Sequence, residues 1–580
     1  MKGNSIVLIL IVVVSGLYSS CGEEWLEVRP KGTLDQYVLA TEEGIDALLV
    51  GAYSMLDGNS SFYGWGTATS NWLYGDIRGM IANKGTDAGD SWDGQPILYY
   101  GEGPLNPYLH AKWREVYEAI NRCNSVFPVI DQALEEGTIT VDQAGIFLKQ
   151  ARVLRGWYHF EAWRMWAMIP YIDEKTGIDK VTNTEDIRDK ILADLQEGTS
   201  LPDNMGQVGR FNGTVSKVLL AKAMMQMKHD YAGALTLLQD VRVNGKKPNG
   251  QPIGLAVTYG EIFDIEHRNG IEAVYTVQYS VNDGSGGANG GYGEVLNFPY
   301  KGGGGSPAGC CGFFQPTQEF VNSFRTSGGL PLLDFSYNDD PVLNDQGLKP
   351  SDPFTEDAGP LDPRLDWSVG RRGIPYWDWG EHTGSDWIRD PSYAGPYSPK
   401  KQVYKKSQEG IYTEVGNWTS GYTANGYRMI RYADVLLLLA ECQIETNDLH
   451  GARENINLVR ARAANTAGFV MEADGITPAA NYVISEYPLT GYPFDNQEHA
   501  RLALYMERKL ELGMEGHRYF DLNRWEITVA ELNRALAYEK TTPWGGGVMY
   551  HGTVVSEEDI TYPIPQAEID MSNGRIVQNR

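Results

Sequence analysis

RYADVLLLLAECQIETNDLHGARENINLVRARA, residues 431–463, decides the architecture. Ala433, Leu436, Leu437, Ala440 and Ile444 recur at spacings of three and four, so they share one face of a helix. Asn447-Asp448 then interrupts the pattern with residues that favour turns and helix caps. Ala452, Ile456, Val459 and Ala463 resume it, and the stretch reads as a helical hairpin. Ala440 and Ala452 stand twelve residues apart, the spacing that lets paired helices touch in tetratricopeptide units, although Gln443 occupies a place that is usually aromatic.

A second hairpin is expected upstream, with Val215–Met227, a break at His229-Asp230, and then Tyr231–Val241. Helical runs are also expected around Ile45–Leu56, over Trp113–Ile130 and Gln143–Trp166, and from Ile187 to Leu195. Helix pairs of this size predict a right-handed superhelical stack. Residues 245–425 are different, being full of Gly, Pro, Asp, Trp and Tyr. They contain one short helical pattern, Thr317–Phe324, and strand-like runs such as Ala273–Val277. Irregular chain of this length is usually functional. The expected fold is therefore mainly α: tetratricopeptide-like hairpins as scaffold, with a large irregular ligand-binding region containing few short strands. The expected divisions are 1–20, 21–244, 245–425 and 426–580.

The first division is a targeting segment. Lys2 precedes nine uninterrupted apolar residues, Ile6 to Val14, which are too few to span a bilayer and fit the core of a secretory signal. Ser19-Ser20 lead into Cys21, a position suited to lipid attachment after cleavage, in a loose lipobox with bulky Tyr18. An ordinary secretory signal with an incidental cysteine is the alternative. No later stretch is apolar for 18 residues, so membrane attachment would rest on the lipid.

The formal net charge of −26 argues against nucleic acid as a partner, because phosphate binding needs a basic surface. Tyr outnumbers Phe, 34 to 16, and there are 15 Trp. Tyr and Trp join an apolar face to a hydrogen-bonding edge, which suits recognition of sugars, peptides or proteins. Cys123 and Cys442 sit in helical apolar patterns and read as buried thiols. Cys310-Cys311, in a Gly-rich loop, reads equally as a vicinal disulfide or as two thiols.

The hairpin at 431–463, with Asn457–Ala463 inside it, resembles the SusD/RagB family. So do Glu507–Leu512, Gly516–Leu522 with Arg524-Trp525, and Tyr562–Pro565 with Glu568 and Gln578-Asn579. Gly75-Asp76, Trp113–Asn124, Arg152–Tyr158 and Asp362–Leu365 fit the same pattern, in the expected order. The resemblance implies a surface lipoprotein that captures glycan, or sometimes peptide. It would pass its catch to a SusC-like TonB-dependent transporter in the outer membrane. Glu507, Arg508 and Glu511, with Arg518, Asp521 and Arg524, are read as a buried ion-pair network in preference to a catalytic cluster.

Sugars are held by aromatic faces and by Asp, Asn and Arg. On irregular segments these criteria select Asp57, Asn59, Trp65, Asp76 and Trp92, then Arg372, Trp377 and Trp379, with the Cys310 loop closing one side. Replacing Trp92 or Asp76 by Ala is expected to weaken binding without unfolding the chain. No HExxH, His–Cys cluster, P-loop or EF-hand spacing occurs, so no catalytic residue, metal ligand or cofactor is assigned. A glycan-cleaving enzyme and a structural adhesin remain as rival readings.

Overall fold

The computed structural model describes residues 36–59, 63–300, 305–416, 419 and 421–580, so Cys21 and the expected signal segment lie outside the described residues. Eleven described helices have seven or more residues. They are α1 Glu42–Tyr53, α2 Pro107–Glu136, α3 Val141–Trp166, α4 Arg188–Glu197, α5 Gly213–Lys228 and α6 Tyr231–Asn244. After the loop region come α7 Tyr432–Glu445, α8 Leu449–Ala463, α9 Gln497–Leu512, α10 Arg518–Arg524 and α11 Thr528–Glu539.

Local chemistry explains their ends. Asn106, Asn212, Asp230, Asp448 and Asn496 each accept a backbone N–H of the first turn that follows, and Thr140 forms a capping box with Gln143. The two expected hairpin breaks turn through left-handed residues, His229 at φ 50° and Asn447 at φ 65°. The helices then stack in sequence: α2 on α3, α3 on α4, α4 on α5, α5 on α6, α6 on α7, and α7 on α8 and α9. One hydrophobic core runs from Ala40 to Ile576 and includes both ends of the stack.

The last hairpins are tied by charge. Glu511 accepts from Arg364 at 3.0 Å and also pairs with Arg431 and Arg462. Glu507 bridges Arg364 at 2.6 Å and Arg460 at 2.9 Å, while Arg508 bridges Asp434 and Asp521, both at 2.8 Å. Burial works to raise the carboxyl of Glu511, but Arg462, Arg431 and Arg364 overcome it and hold it well below the carboxylate range. These groups have no free lone pair facing solvent, and their role is structural.

Residues 245–425 fold as loops over this stack. The described strands form five two-stranded ladders and no continuous sheet. One ladder pairs Ala273–Tyr275 with Ile430–Arg431, so the loop region is anchored directly at the start of α7.

Candidate ligand-binding site

The strand Ala82–Gly85 pairs antiparallel with Phe313–Pro316. This brings together the loop that follows the first strand and the loop that precedes the second. Thr86 N donates to Gly312 O at 2.6 Å, Cys311 N to Leu296 O at 3.2 Å, and Gly312 N to Phe298 O at 2.8 Å. Gly312 has φ 74°, and a Cβ on it would stand 3.3 Å from Tyr300 Cβ and 3.7 Å from Arg389 Cβ. The neighbouring Cys310 and Cys311 are joined as a vicinal disulfide, with Cys310 half-buried and Cys311 buried.

Arg389 organises the polar part of this surface. Its Nη2 lies 2.8 Å from Asp87 Oδ2, its Nη1 pairs with Asp90 and donates to Thr86 Oγ1 at 2.9 Å, and its guanidinium sits 5.3 Å from the Tyr300 ring centroid. Lys84 Nζ donates to the carbonyls of Asp87 at 2.8 Å and Asp90 at 2.6 Å. Burial lowers the Lys84 ammonium to about 8 against the pull of Asp90 and Asp87. Trp92 stands on the same loop with 66% of its surface exposed. Beside it, Tyr63 donates to Asp93 Oδ2 at 3.0 Å. Its indole thus presents an exposed apolar face with a hydrogen-bonding edge on a braced loop.

A second aromatic group adjoins. Trp65 and Tyr292 are half-buried and stacked, with centroids 6.4 Å apart and planes 12° apart, and Tyr292 meets Tyr422 at 6.4 Å. Trp72 Nε1 donates to both Trp65 O at 2.9 Å and Gly293 O at 2.8 Å, which fixes the two segments relative to each other. Beneath them lie Asp57, Glu115 and Glu294. Asp57 Oδ1, Glu115 Oε1 and Glu294 Oε1 are buried without hydrogen-bond partners. Burial raises Glu115 and Glu294 each to about 7, and burial with Glu294 nearby raises Asp57 well above its ordinary range. Asn59 Nδ2 donates to Glu115. Asn59 and Tyr63 also border a groove of about 890 Å³ that runs along α2 past His110, Arg114 and Glu118.

The remaining sequence candidates are distributed differently. Asp76 is a correction. It has no exposed surface, and its two oxygens accept Gly516 N at 2.8 Å and Arg518 N at 3.1 Å. Gly75 makes this possible, since a Cβ there would fall 1.9 Å from Gly516 O. Asp76 thus clamps two distant stretches and is out of a ligand's reach. Trp377 packs edge-on against Trp367 at 4.9 Å, and Trp379 donates to Tyr404 O at 2.8 Å. Both are half-buried on a separate small core, without ring contact to Trp65 or Trp92 among the described residues. Arg372 Nη2 donates to Pro350 O at 2.9 Å and Asp352 O at 2.6 Å. Among the described residues, no group of three or more His, Cys, Asp or Glu could hold a metal ion.

Comparison with known proteins settles the lineage. A profile described as "SusD family" matches residues 271–580. The chain belongs to the SusD family. A second profile, described as "Starch-binding associating with outer membrane", matches residues 24–241. SusD-like protein P25 of Formosa agariphila is 23% identical over 602 residues, covering 99% of this chain and 97% of that protein. SusD-like protein P2 of the same organism is 24% identical over 539 residues, covering 91% and 90%. Among solved structures, a SusD superfamily protein from Bacteroides vulgatus superposes with TM-score 0.66 at 17% identity, covering 93% of this chain and 98% of that one. Surface glycan-binding protein A from Bacteroides thetaiotaomicron, in complex with laminarihexaose, gives TM-score 0.63 at 21% identity, covering 93% and 99%.

In this SusD-family chain, sequence reasoning missed Arg389 and Tyr300. Tyr300 lies beside the Gly-rich run and Arg389 beside Asp390, so both sit in polar contexts without periodicity. Their importance comes only from the ladder that brings residues 86 and 312 together.

Proposed function

We propose that this protein is a non-catalytic glycan receptor of the outer membrane. It captures oligo- or polysaccharide on the Trp92 surface and delivers it to a SusC-like TonB-dependent transporter, while lipid on Cys21 tethers it to the cell. The observation that carries this reading is an exposed indole next to charged groups that are already locked in place. Trp92 offers a face to the C–H side of a sugar ring. Asp87, Asp90 and Arg389 are held by one another, so their free hydrogen-bonding positions are presented to a ligand at little entropic cost. The stacked Trp65 and Tyr292 and the apolar Cys310–Cys311 ring extend the surface for a longer chain. The starch-binding description of the matching profile and the laminarihexaose held by a structural neighbour support a glycan ligand.

Electrophoresis through gels containing starch, laminarin and other glycans tests the reading. The expected result is retarded migration on at least one glycan, loss of retardation in Trp92→Ala, and no shortened products after incubation. Unretarded migration on every glycan, or release of shortened products, would overturn it. Delivery predicts co-purification of a large β-barrel from native membranes. Anchoring predicts palmitate labelling that Cys21→Ala abolishes.

A further inference from the structure

The groove of about 890 Å³ along α2 has walls held in place by hydrogen bonds between distant segments. Tyr117 on α2 donates to Pro170 O at 2.8 Å and Asn124 Nδ2 to Ile172 O at 3.1 Å, which seats the chain between α3 and α4 against the helix. His110 Nε2 lies 3.1 Å from Glu568 Oε1, which ties in the C-terminal segment. His110, Arg114, Glu118 and Asn121 follow one another at spacings of four, four and three, so they form one stripe about 16 Å long on the helix.

Pairing along this stripe is uneven. Glu118 Oε1 accepts from Arg122 Nε at 2.9 Å, and Arg122 Nη1 also donates to Gly51 O at 3.0 Å. Glu568 is taken by His110. Glu115, the remaining acid of the lining, is 4% exposed and accepts from Asn59. Arg114 and Asn121 are both exposed, and neither makes a hydrogen bond or an ion pair among the described residues. The groove therefore offers an accessible guanidinium, with an accessible amide about two turns further along the same face. The planar guanidinium fork matches a carboxylate through two parallel hydrogen bonds, a fit that a neutral hydroxyl cannot give. With about 30 Å³ per water, the volume equals roughly thirty waters, room for a short oligosaccharide. Extended peptides are held chiefly along an exposed strand edge, and no described strand lines this groove.

We propose that the groove binds an acidic oligosaccharide, whose uronate carboxylate is clasped by Arg114 and whose hydroxyls reach Asn121. The proposal rests on the glycan-receptor reading and adds to it a carboxylate-selective site that does not include Trp92.

Calorimetry with trigalacturonate on the full-length protein tests this. The wild type should bind it about tenfold or more tightly than its methyl ester, which keeps the rings and removes the charge. Arg114→Gln should weaken binding about tenfold or more, and Arg114→Lys less, since the charge stays and the fork is lost. Asn121→Trp should fill the groove and abolish binding. All three variants change exposed residues without partners, so their melting temperatures should equal that of the wild type. Equal affinity for acid and ester overturns the site, as does binding that ignores Arg114→Gln and Asn121→Trp, or no binding of trigalacturonate at all. Tighter binding of an alternating aspartate–leucine hexapeptide that obeys the same variants also overturns it and marks a peptide groove. Retardation by starch or laminarin gels in any of these cases leaves the receptor reading intact. Trigalacturonate binding that obeys the groove variants, in a protein that no neutral glycan gel retards, keeps the groove and removes the Trp92 capture surface.

Discussion

The hairpins α7 to α10 and the acidic floor beneath Trp65 and Tyr292 bury charge in opposite ways. Around α7 to α10, nearly every buried carboxylate meets an arginine or lysine: Glu511 with Arg364, Asp434 with Lys222 and Arg508, Glu441 with Arg524. Beneath Trp65 and Tyr292, Asp57, Glu115 and Glu294 each keep a buried oxygen without a donor. Complete pairing makes a rigid frame, whereas incomplete pairing leaves hydrogen-bonding capacity for a guest. The contrast separates fully paired from under-paired buried acids within one molecule.

The largest expected effect is on the frame. Glu511→Ala would strand three arginines and cost about 3–5 kcal/mol of unfolding free energy in denaturant titrations. A loss under about 1 kcal/mol would show the network to be no more than a surface-like web and erase the contrast. Next comes Asp76→Ala, which frees two buried backbone N–H groups and should cost about 2–4 kcal/mol, with glycan affinity unchanged in the variant that remains folded. An affinity loss without a stability loss would move Asp76 back to the ligand side.

The pH response should differ in sign between the regions. Glu294 and Glu115, raised to about 7 from 4.5, bind their protons more tightly in the folded chain. Their contribution is full at low pH and is lost as pH rises from about 4.5 through about 7. Glu511 and Asp434, depressed by their cations after burial is overcome, contribute above the ordinary carboxylate range and lose it as pH falls. Glu294→Gln should therefore flatten the decline toward pH 8 and gain roughly 1–3 kcal/mol there. A steeper decline in melting temperature would contradict the under-paired description. Smaller still, Trp92→Ala should weaken glycan binding about tenfold, or ~1.4 kcal/mol, at constant melting temperature. The smallest effect is expected for reducing Cys310–Cys311, about a two- to threefold affinity loss in calorimetry from one less preorganised edge of the surface.

Much of the frame was legible in the sequence because its causes are local. Apolar spacing marked α5 to α8, and Asp230 and Asp448 marked the caps between them. The charge order 507–524 announced ion pairs, since residues on a shared helix face must point the same way. The polar neighbours of Trp92 point to an exposed side chain, and 66% of its surface is exposed. Asp76 could not be placed correctly, because its partners are 440 and 442 residues away and are backbone groups, which sequence does not distinguish. Trp377 and Trp379 matched the composition of a sugar site, yet they pack on Trp367 and Tyr404.

By itself the sequence determined the helical hairpins, most of their boundaries and the aromatic, acidic composition of the chain. These depend on periodicity and residue type over a few turns of chain. Only the tertiary structure decided which loops meet: Thr86 against Gly312, Arg389 over Tyr300, Asp345 beside Arg372. Irregular chain has no period from which direction can be read, so the positions of its side chains are fixed only by the contacts that close the fold.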